Sequence, residues 1–190
     1  MCLLIALRRH GELWLGANRD ERLDRPWQPP ALLLADPPVV GGRDLAAGGS
    51  WLAGGRSGRF AAVTNVRDPA APPGPRSRGA LVADFVASDV PLADYADRVA
   101  GQAAEFAGFN LVLFDPAAAQ PLLYVSNRHP QRIVALPPGV HGLSNGVPGS
   151  DWPKVRRLVG RLDRVLADPR LRFEAELLDA LADRTRPPDH

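Results

Sequence analysis

The chain has 190 residues, 45% of them hydrophobic, which is typical of a single globular domain with a substantial core. Its net charge is only +2, and 22 of its 23 basic residues are arginines spread along the sequence, so no nucleic-acid-binding patch is indicated. A single cysteine excludes intramolecular disulfides and zinc sites built on several cysteines, and the four histidines lack metal-ligand spacing. We therefore expect one domain over residues 1–190, with no metal, no cofactor and no nucleic-acid partner.

The N-terminal segment does not resemble a signal peptide. Its apolar run, residues 3–7, is short and is followed by Arg8 and Arg9 rather than preceded by positive charge. No segment approaches the roughly 18–20 apolar residues that a membrane-spanning helix needs. These features predict a soluble cytoplasmic chain without a membrane span.

The first third of the chain is predicted to be β-structure. Apolar runs at residues 2–7 and 12–17 flank a turn at residues 8–11, which predicts a β-hairpin. The charged, proline-bearing stretch that follows, residues 18–30, predicts a loop.

Glycine and proline divide the next part of the chain into short pieces. Residues 31–40 are apolar but broken by Pro37-Pro38, and residues 41–58 contain seven glycines around a short predicted strand at 50–53. Residues 59–66 predict a further strand. Four prolines predict a surface loop at residues 69–78.

Helices and strands then alternate in blocks. The apolar spacing predicts two helices, then three strands, then two more helices, at residues 77–87, 92–106, 109–114, 122–126, 132–136, 155–166 and 173–181. Because strands and helices come in separate runs, the order indicates an α+β fold with segregated layers and antiparallel sheets.

Cys2 is the only cysteine and directly follows the initiator methionine. Methionine is normally removed before so small a residue, which would leave a thiol and a free α-amine on one residue. The thiol is a nucleophile, and an α-amine, with an ordinary pKa of about 7.7–8.0, is a base near working pH. The alternative is that Cys2 is a small apolar residue at the start of a buried strand.

The charged segment Asn18-Arg19-Asp20-Glu21 follows the second strand of the predicted hairpin. In a hairpin the end of the second strand lies beside the start of the first, so this segment is expected within reach of Cys2. A carboxylate there can orient the terminal amine as a general base. The alternative is a solvated charged turn.

Several short motifs occur in the order found in one known family. They are Met1-Cys2, Ala17-Asn18-Arg19-Asp20-Glu21, Gly49-Ser50-Trp51-Leu52, Ala62-Val63-Thr64-Asn65, Ser77-Arg78-Gly79, Gly108-Phe109-Asn110-Leu111, Asn127-Arg128 and Gly142-Leu143-Ser144-Asn145. Together they resemble the NRDE family, also called the transport and Golgi organisation protein 2 family. The family looks like a branch of the N-terminal nucleophile hydrolases, similar by motif to cysteine amidases and acyltransferases acting on penicillins and conjugated bile acids. The resemblance implies a four-layer αββα sandwich.

The resemblance also implies roles for individual residues. It places Cys2 at the nucleophile, Asp20 at the aspartate that positions the terminal amine, Asn65 at an asparagine of the oxyanion hole, and Asn145 at a second active-site asparagine. Judged on local sequence alone, both asparagines would be turn residues. The expected reaction is acyl transfer through an acyl-enzyme on Cys2, which water then resolves.

Three residues of the charged segment have no settled counterpart in the family pattern. In the relatives an arginine lies one residue before the asparagine, where this chain has Ala17. We expect Asn18, Arg19 and Glu21 to bind substrate, or Arg19 and Glu21 to bind each other. The family pattern also continues with strands carrying a Tyr-Gly-Thr-Arg-like motif that this chain lacks, so the resemblance implies a fold truncated at its C-terminus.

Two functions from different classes follow. The first is a hydrolase acting on an amide, ester or thioester of a small-molecule acyl substrate. The second is a non-catalytic binding or trafficking protein for a hydrophobic ligand such as haem or an acyl lipid. The sequence carries no haem-specific feature, because His129 and His141 are expected to be surface or structural residues.

Overall fold

The computed structural model describes residues 2–9, 12–66, 74–148, 150, 152–167, 172–183 and 185. Met1, the centre of the predicted turn at 10–11, residues 67–73 of the predicted proline-rich loop and the tail at 186–190 lie outside this part. The chain divides into two compact units, unit 1 (Met1–Asp20 and Pro137–His190) and unit 2 (Glu21–Leu136). Unit 1 is thus built from both ends of the sequence.

Ten strands and four α-helices occur in the described part of the chain. The strands are β1 (Leu3–Arg9), β2 (Glu12–Asn18), β3 (Trp27–Ala35), β4 (Pro38–Asp44), β5 (Leu52–Gly55), β6 (Phe60–Asn65), β7 (Phe109–Phe114), β8 (Leu122–Ser126), β9 (Ile133–Ala135) and β10 (Gly139–Leu143). The helices are α1 (Gly79–Ala87), α2 (Leu92–Gly101), α3 (Pro153–Ala167) and α4 (Phe173–Leu181), with a 3-10 turn at Ala103–Glu105. This confirms the α+β class with antiparallel sheets.

Unit 1 contains a three-stranded antiparallel sheet in the order β10-β1-β2. The predicted hairpin is confirmed, with Leu3 opposite Asn18 and Arg9 opposite Glu12. β1 is the central strand, and its apolar run from Leu3 to Leu7 is buried. A central strand pairs on both edges, so the start of β1 has a neighbouring segment on each side.

Helices α3 and α4 pack on this sheet through an apolar core of six buried residues: Leu3, Ile5, Leu158, Leu162, Leu177 and Ala180. Gly142 in β10 allows α3 to approach closely, because a Cβ there would lie only 2.7 Å from side-chain atoms of Val155 and Val159. Gly16 in β2 does the same for α4, with a Cβ 2.7 Å from Leu181. The two glycines therefore set the distance between helices and sheet.

Unit 2 contains a seven-stranded antiparallel sheet in the order β3-β4-β5-β6-β7-β8-β9. Helices α1 and α2 contribute Phe85 and Tyr95 to its core, in an edge-to-face contact with centroids 5.0 Å apart. Burial raises the pKa of Tyr95 to about 12, and its hydroxyl donates to the Leu81 carbonyl over 2.9 Å. The buried phenol therefore stays protonated and bonded.

The loop predicted at residues 18–30 is wrong at both ends, because β2 includes Asn18 and β3 already begins at Trp27. Pro29 and Pro30 misled the prediction, since proline lacks the N–H that a central strand needs. β3 lies at the edge of its sheet, where proline is tolerated.

The tight turns predicted from residue 41 onward are also wrong at their start, because β4 continues to Asp44. Gly42 serves close packing: a Cβ there would lie 2.1 Å from the ring of Trp51. Trp51 itself precedes β5, so the strand predicted at 50–53 begins two residues later than expected.

Helix bounds differ from the predictions by small amounts. α1 begins at Gly79 rather than 77, and α2 ends at Gly101, where a 3-10 turn continues the predicted helix. Within α4, Leu177 is buried, whereas the adjacent Leu178 is 68% exposed. The longest helix in the described part is α3, with 15 residues, and none there is long and apolar enough to cross a membrane.

Candidate active site

Cys2 directly precedes the first residue of β1 and is half-buried. Its carbonyl oxygen accepts hydrogen bonds from Ser144 Oγ over 2.8 Å and from Lys154 Nζ over 3.3 Å. Its Sγ approaches the main-chain oxygen of Asp20 at 3.9 Å, a weak sulfur contact. Three chain segments of unit 1 therefore converge on this residue.

The strand register explains the convergence. β1 pairs with β2 through Leu3 and Asn18, and with β10 through Leu4 and Leu143. In antiparallel pairs, stepping back along one strand means stepping forward along the other. The residues that follow β2 and β10, including Asp20 and Ser144, are thereby carried toward Cys2.

Asp20 lies beside the thiol as predicted from the hairpin, but it is the main-chain oxygen of Asp20 that contacts Cys2 Sγ. The residue is exposed, so its carboxylate is accessible to solvent. The role of that carboxylate in orienting a terminal amine stays a prediction.

Ser144 and Asn145 are both buried, with 3% and 5% exposure. Buried polar side chains are costly unless they are bonded, and they are therefore informative about a site. The structure places Asn145 in unit 1, immediately after the serine that contacts Cys2. Its predicted role near the amine and the substrate stays a prediction.

The other residues of the charged segment are placed as follows. Asn18 Nδ2 donates to the carbonyl of Leu181 at the end of α4 over 2.7 Å, a contact that ties β2 to this helix. Arg19 is half-buried. Glu21 begins unit 2, where its carboxylate lies 3.8 Å from Arg25. Substrate binding by these three residues stays a prediction.

Asn65 is the last residue of β6 in unit 2, opposite Phe109, and it is exposed. Neighbouring strand residues point to opposite faces of a sheet. Asn65 therefore lies on the same face of β6 as Ala61 and Val63, which contribute to the core beneath α1 and α2. Its predicted place in an oxyanion hole stays a prediction.

A buried polar row crosses β6, β7 and β8 in unit 2. Tyr124 donates to Asn110 Oδ1 over 2.7 Å, and Asn110 Nδ2 donates to Thr64 Oγ1 over 3.3 Å. Burial raises the pKa of Tyr124 to about 12, so the phenol remains a donor. The motifs pointed to Asn110 and Thr64, but nothing in the sequence linked them to Tyr124.

Sequence reasoning also missed the contacts of Ser144 and Lys154 with Cys2. Ser144 lay inside a motif quoted for the family, and Lys154 is the chain's single lysine among 23 basic residues. The rarity of lysine in this chain was the one feature of the sequence that could have drawn attention to Lys154. In the described part of the chain, no three histidine, cysteine or acidic residues are grouped to hold a metal ion.

The architecture and this site define an α+β protein whose sole cysteine lies, with its carbonyl bonded by two side chains, at the start of a central strand. The chain belongs to the Transport and Golgi organisation 2 (TANGO2) family, whose sequence profile matches residues 1–190. This confirms the resemblance found from the motifs.

Named relatives support the same assignment. The chain is 33% identical to the Bos taurus transport and Golgi organization protein 2 homolog over 187 residues, 93% of this chain and 68% of the relative. It is 32% identical to the Homo sapiens homolog over 178 residues, 89% of this chain and 64% of the relative. It is 31% identical to the Drosophila melanogaster transport and Golgi organization protein 2 over 157 residues, 76% of this chain and 56% of the relative. The chain thus spans roughly half to two thirds of these relatives' lengths.

Proposed function

We propose that this chain is a cysteine N-terminal nucleophile hydrolase that cleaves an amide, ester or thioester. The observation that carries the proposal is the placement of Cys2, half-buried at the start of β1, with its carbonyl bonded by Ser144 and Lys154. Catalysis needs a nucleophile held in a defined position, and those bonds act on the residue itself. The proposal includes the N-terminal nucleophile hydrolase fold that the family resemblance implies.

The reaction begins once Met1 has been removed. The α-amine of Cys2 takes the thiol proton, and the sulfur attacks the substrate carbonyl to form a tetrahedral oxyanion. The carbon–nitrogen, carbon–oxygen or carbon–sulfur bond then breaks, and the protonated amine returns its proton to the leaving group. Water hydrolyses the resulting thioester, releasing the acid and regenerating the thiol.

Two further roles rest on the family resemblance. Asp20 orients the α-amine, which is favoured by the main-chain contact that places this residue beside the thiol. Asn65 and Asn145 are the proposed amide donors, Asn65 to the oxyanion and Asn145 near the amine and the substrate. Such a donor typically contributes about 10²–10³ in rate.

The test compares two forms of the full chain that differ only at the N-terminus. One is the processed form that begins at Cys2, and the other carries a peptide extension that converts the α-amine into an amide. The proposal predicts that only the first form turns over an ester or thioester. It also predicts that Cys2→Ser does not reach the rate of that form. Equal turnover by both forms would show that the α-amine takes no part.

The second candidate is a binding protein for a hydrophobic ligand, and one feature of unit 1 bears on it. Six residues line a cleft of about 180 Å³: Leu7, Arg9, Glu12, Trp14, Leu166 and Phe173. Four of the six lining residues are apolar and suit a short acyl tail, but the volume is below the roughly 300–1,000 Å³ of pockets for drug-sized ligands. Haem is therefore the weaker choice of ligand, and an absorbance titration that showed saturable haem binding would reverse this ranking.

A further inference from the structure

Cys2 lies at the place in the chain where fraying is expected. It precedes β1, and after removal of Met1 it would be the terminal residue. Chain ends are poorly ordered unless specific bonds hold them. The bonds to its carbonyl oxygen are therefore important for where the thiol and the amine lie.

The two donors reach this oxygen from different elements of unit 1. Ser144 directly follows β10, and its hydroxyl is buried and 2.8 Å from the oxygen. Lys154 is the second residue of α3, and its ammonium is 3.3 Å from the same oxygen. A carbonyl oxygen has two lone pairs, so both can be used at once.

The donor on the helix is itself firmly supported. α3 packs against β10 where Gly142 permits contact with Val155, the residue after Lys154. The base of the lysine side chain is thereby fixed relative to the sheet. Its ammonium group is charged, and a charged donor generally forms a stronger hydrogen bond than a neutral donor does.

We propose that Lys154, acting with Ser144, is a positioning residue for the Cys2 nucleophile. This inference rests on the proposed hydrolase function and assigns a role to the chain's single lysine. The two bonds fix the orientation of the Cys2 peptide plane and, through its Cα, the directions of the thiol and the amine. In this role Lys154 acts through the Cys2 carbonyl oxygen rather than on the thiol or the amine.

The test uses two substitutions of nearly equal length at this position. Lys154→Met removes the donor, whereas Lys154→Gln keeps an N–H donor without charge. The matched control is Arg164→Met, which removes a cation from the exposed face of the same helix. Each variant of the processed full chain is assayed for acylation of Cys2 by 4-nitrophenyl acetate and, separately, for alkylation by neutral iodoacetamide.

Loss of positioning has a signature that general damage to the fold lacks. Acylation depends on aligned groups, so Lys154→Met is expected to slow it about tenfold to a hundredfold. Alkylation needs only access to the thiol and should stay equal or become faster. Lys154→Gln should recover most of the acylation rate, and Arg164→Met should match the wild type.

The outcomes separate the two proposals. Acylation of Lys154→Met at the wild-type rate, or a parallel fall in acylation and alkylation, would overturn the positioning role while leaving the hydrolase in place. A wild-type chain that is alkylated at Cys2 but never acylated would overturn the hydrolase and this role with it. Equally slow acylation in the Met and Gln variants would also overturn the positioning role. It would show that the charge of Lys154 matters and its hydrogen bond does not.

Discussion

At the scale of single residues, the site is organised around Cys2 by contacts that involve main-chain atoms as much as side chains. The thiol faces the carbonyl oxygen of Asp20, and the Cys2 carbonyl faces Ser144 and Lys154. Main-chain contacts of this kind survive side-chain substitution. Variants can therefore separate the role of a carboxylate from the shape of the loop that carries it.

Asp20→Asn is the substitution that isolates the carboxylate. It keeps the main-chain contact with the thiol and nearly the same side-chain shape but removes the negative charge. In the proposed mechanism the Asp20 carboxylate orients the α-amine, so we expect acylation of Cys2 by 4-nitrophenyl acetate to fall by about a hundredfold. Asp163→Asn, which removes an exposed carboxylate from α3, is the control. An Asp20→Asn chain that acylates as fast as the wild type would remove Asp20 from the mechanism.

At the scale of secondary-structure elements, close packing at small residues positions the helices. α3 carries Lys154, and its distance from the sheet is set by Gly142 in β10. β10 itself was not predicted, because its five residues contain two glycines and a histidine and show no strand-like alternation. Its pairing partner, β1, lies more than 130 residues earlier in the chain, and short-range patterns do not report such pairings.

Gly142→Ala is expected to destabilise the protein by about 1–3 kcal/mol, because the added methyl group overlaps Val155 and Val159. The loss is measured as the free energy of unfolding in urea. The control is Gly101→Ala at the end of α2, where a Cβ would meet no atom within 4 Å. That control should be neutral or slightly stabilising. Equal stability of the two variants would contradict the packing role of Gly142.

A buried ion pair joins several elements of unit 2. Arg59 bonds Asp115 at 2.7 Å and the carbonyl of Val90 at 2.8 Å, and the two charged side chains are only 11% and 10% exposed. Removing one partner leaves a buried charge, so Asp115→Ala should cost about 3–5 kcal/mol in urea unfolding. Asp24→Ala, which removes an exposed ion pair with Arg22, should have no measurable effect. Comparable losses from both variants would contradict this account.

At the scale of the whole molecule, the sequence predicted the local elements better than the long-range ones. The hairpin of β1 and β2, the strands β6 to β9 and all four helices follow from apolar spacing, which short segments display by themselves. Unit 1 combines residues from both ends of the sequence. Only the family motifs, which assign Cys2 and Asn145 to one site, indicated that these segments come together. Cys2, Asp20 and Asn145 were predicted as site residues from position and resemblance, whereas the Lys154 contact depends on how α3 packs.

The pH dependence of stability is a property of the whole chain, and the partly buried Asp44 is one contributor to it. Burial alone would raise the pKa of Asp44, but hydrogen bonds from Arg25 and from the N–H groups of Ala46 and Ala47 outweigh it and lower that pKa. A lowered carboxyl pKa stabilises the fold above the unfolded value of about 3.9, and the stabilisation is lost as the pH falls through the folded pKa.

Acidification below about pH 4 lowers the free energy of unfolding, and in Asp44→Asn it should therefore lower it by less than in the wild type. Urea unfolding from neutral pH to acid measures it. Asp24→Asn, at a solvent-screened carboxylate, should retain most of the wild-type dependence. An Asp44→Asn chain with the full wild-type acid dependence would exclude this carboxylate as a contributor.

The central claim is that Cys2 acts as an N-terminal nucleophile, and intact-mass analysis after a brief pulse of 4-nitrophenyl acetate tests it most directly. The account predicts a chain that lacks Met1 and carries one acetyl group, which peptide mapping assigns to the sulfur of Cys2. It also predicts that this group disappears on standing in water as the acyl-enzyme hydrolyses. A chain that retains Met1, or one that carries its acetyl group elsewhere, would contradict the claim.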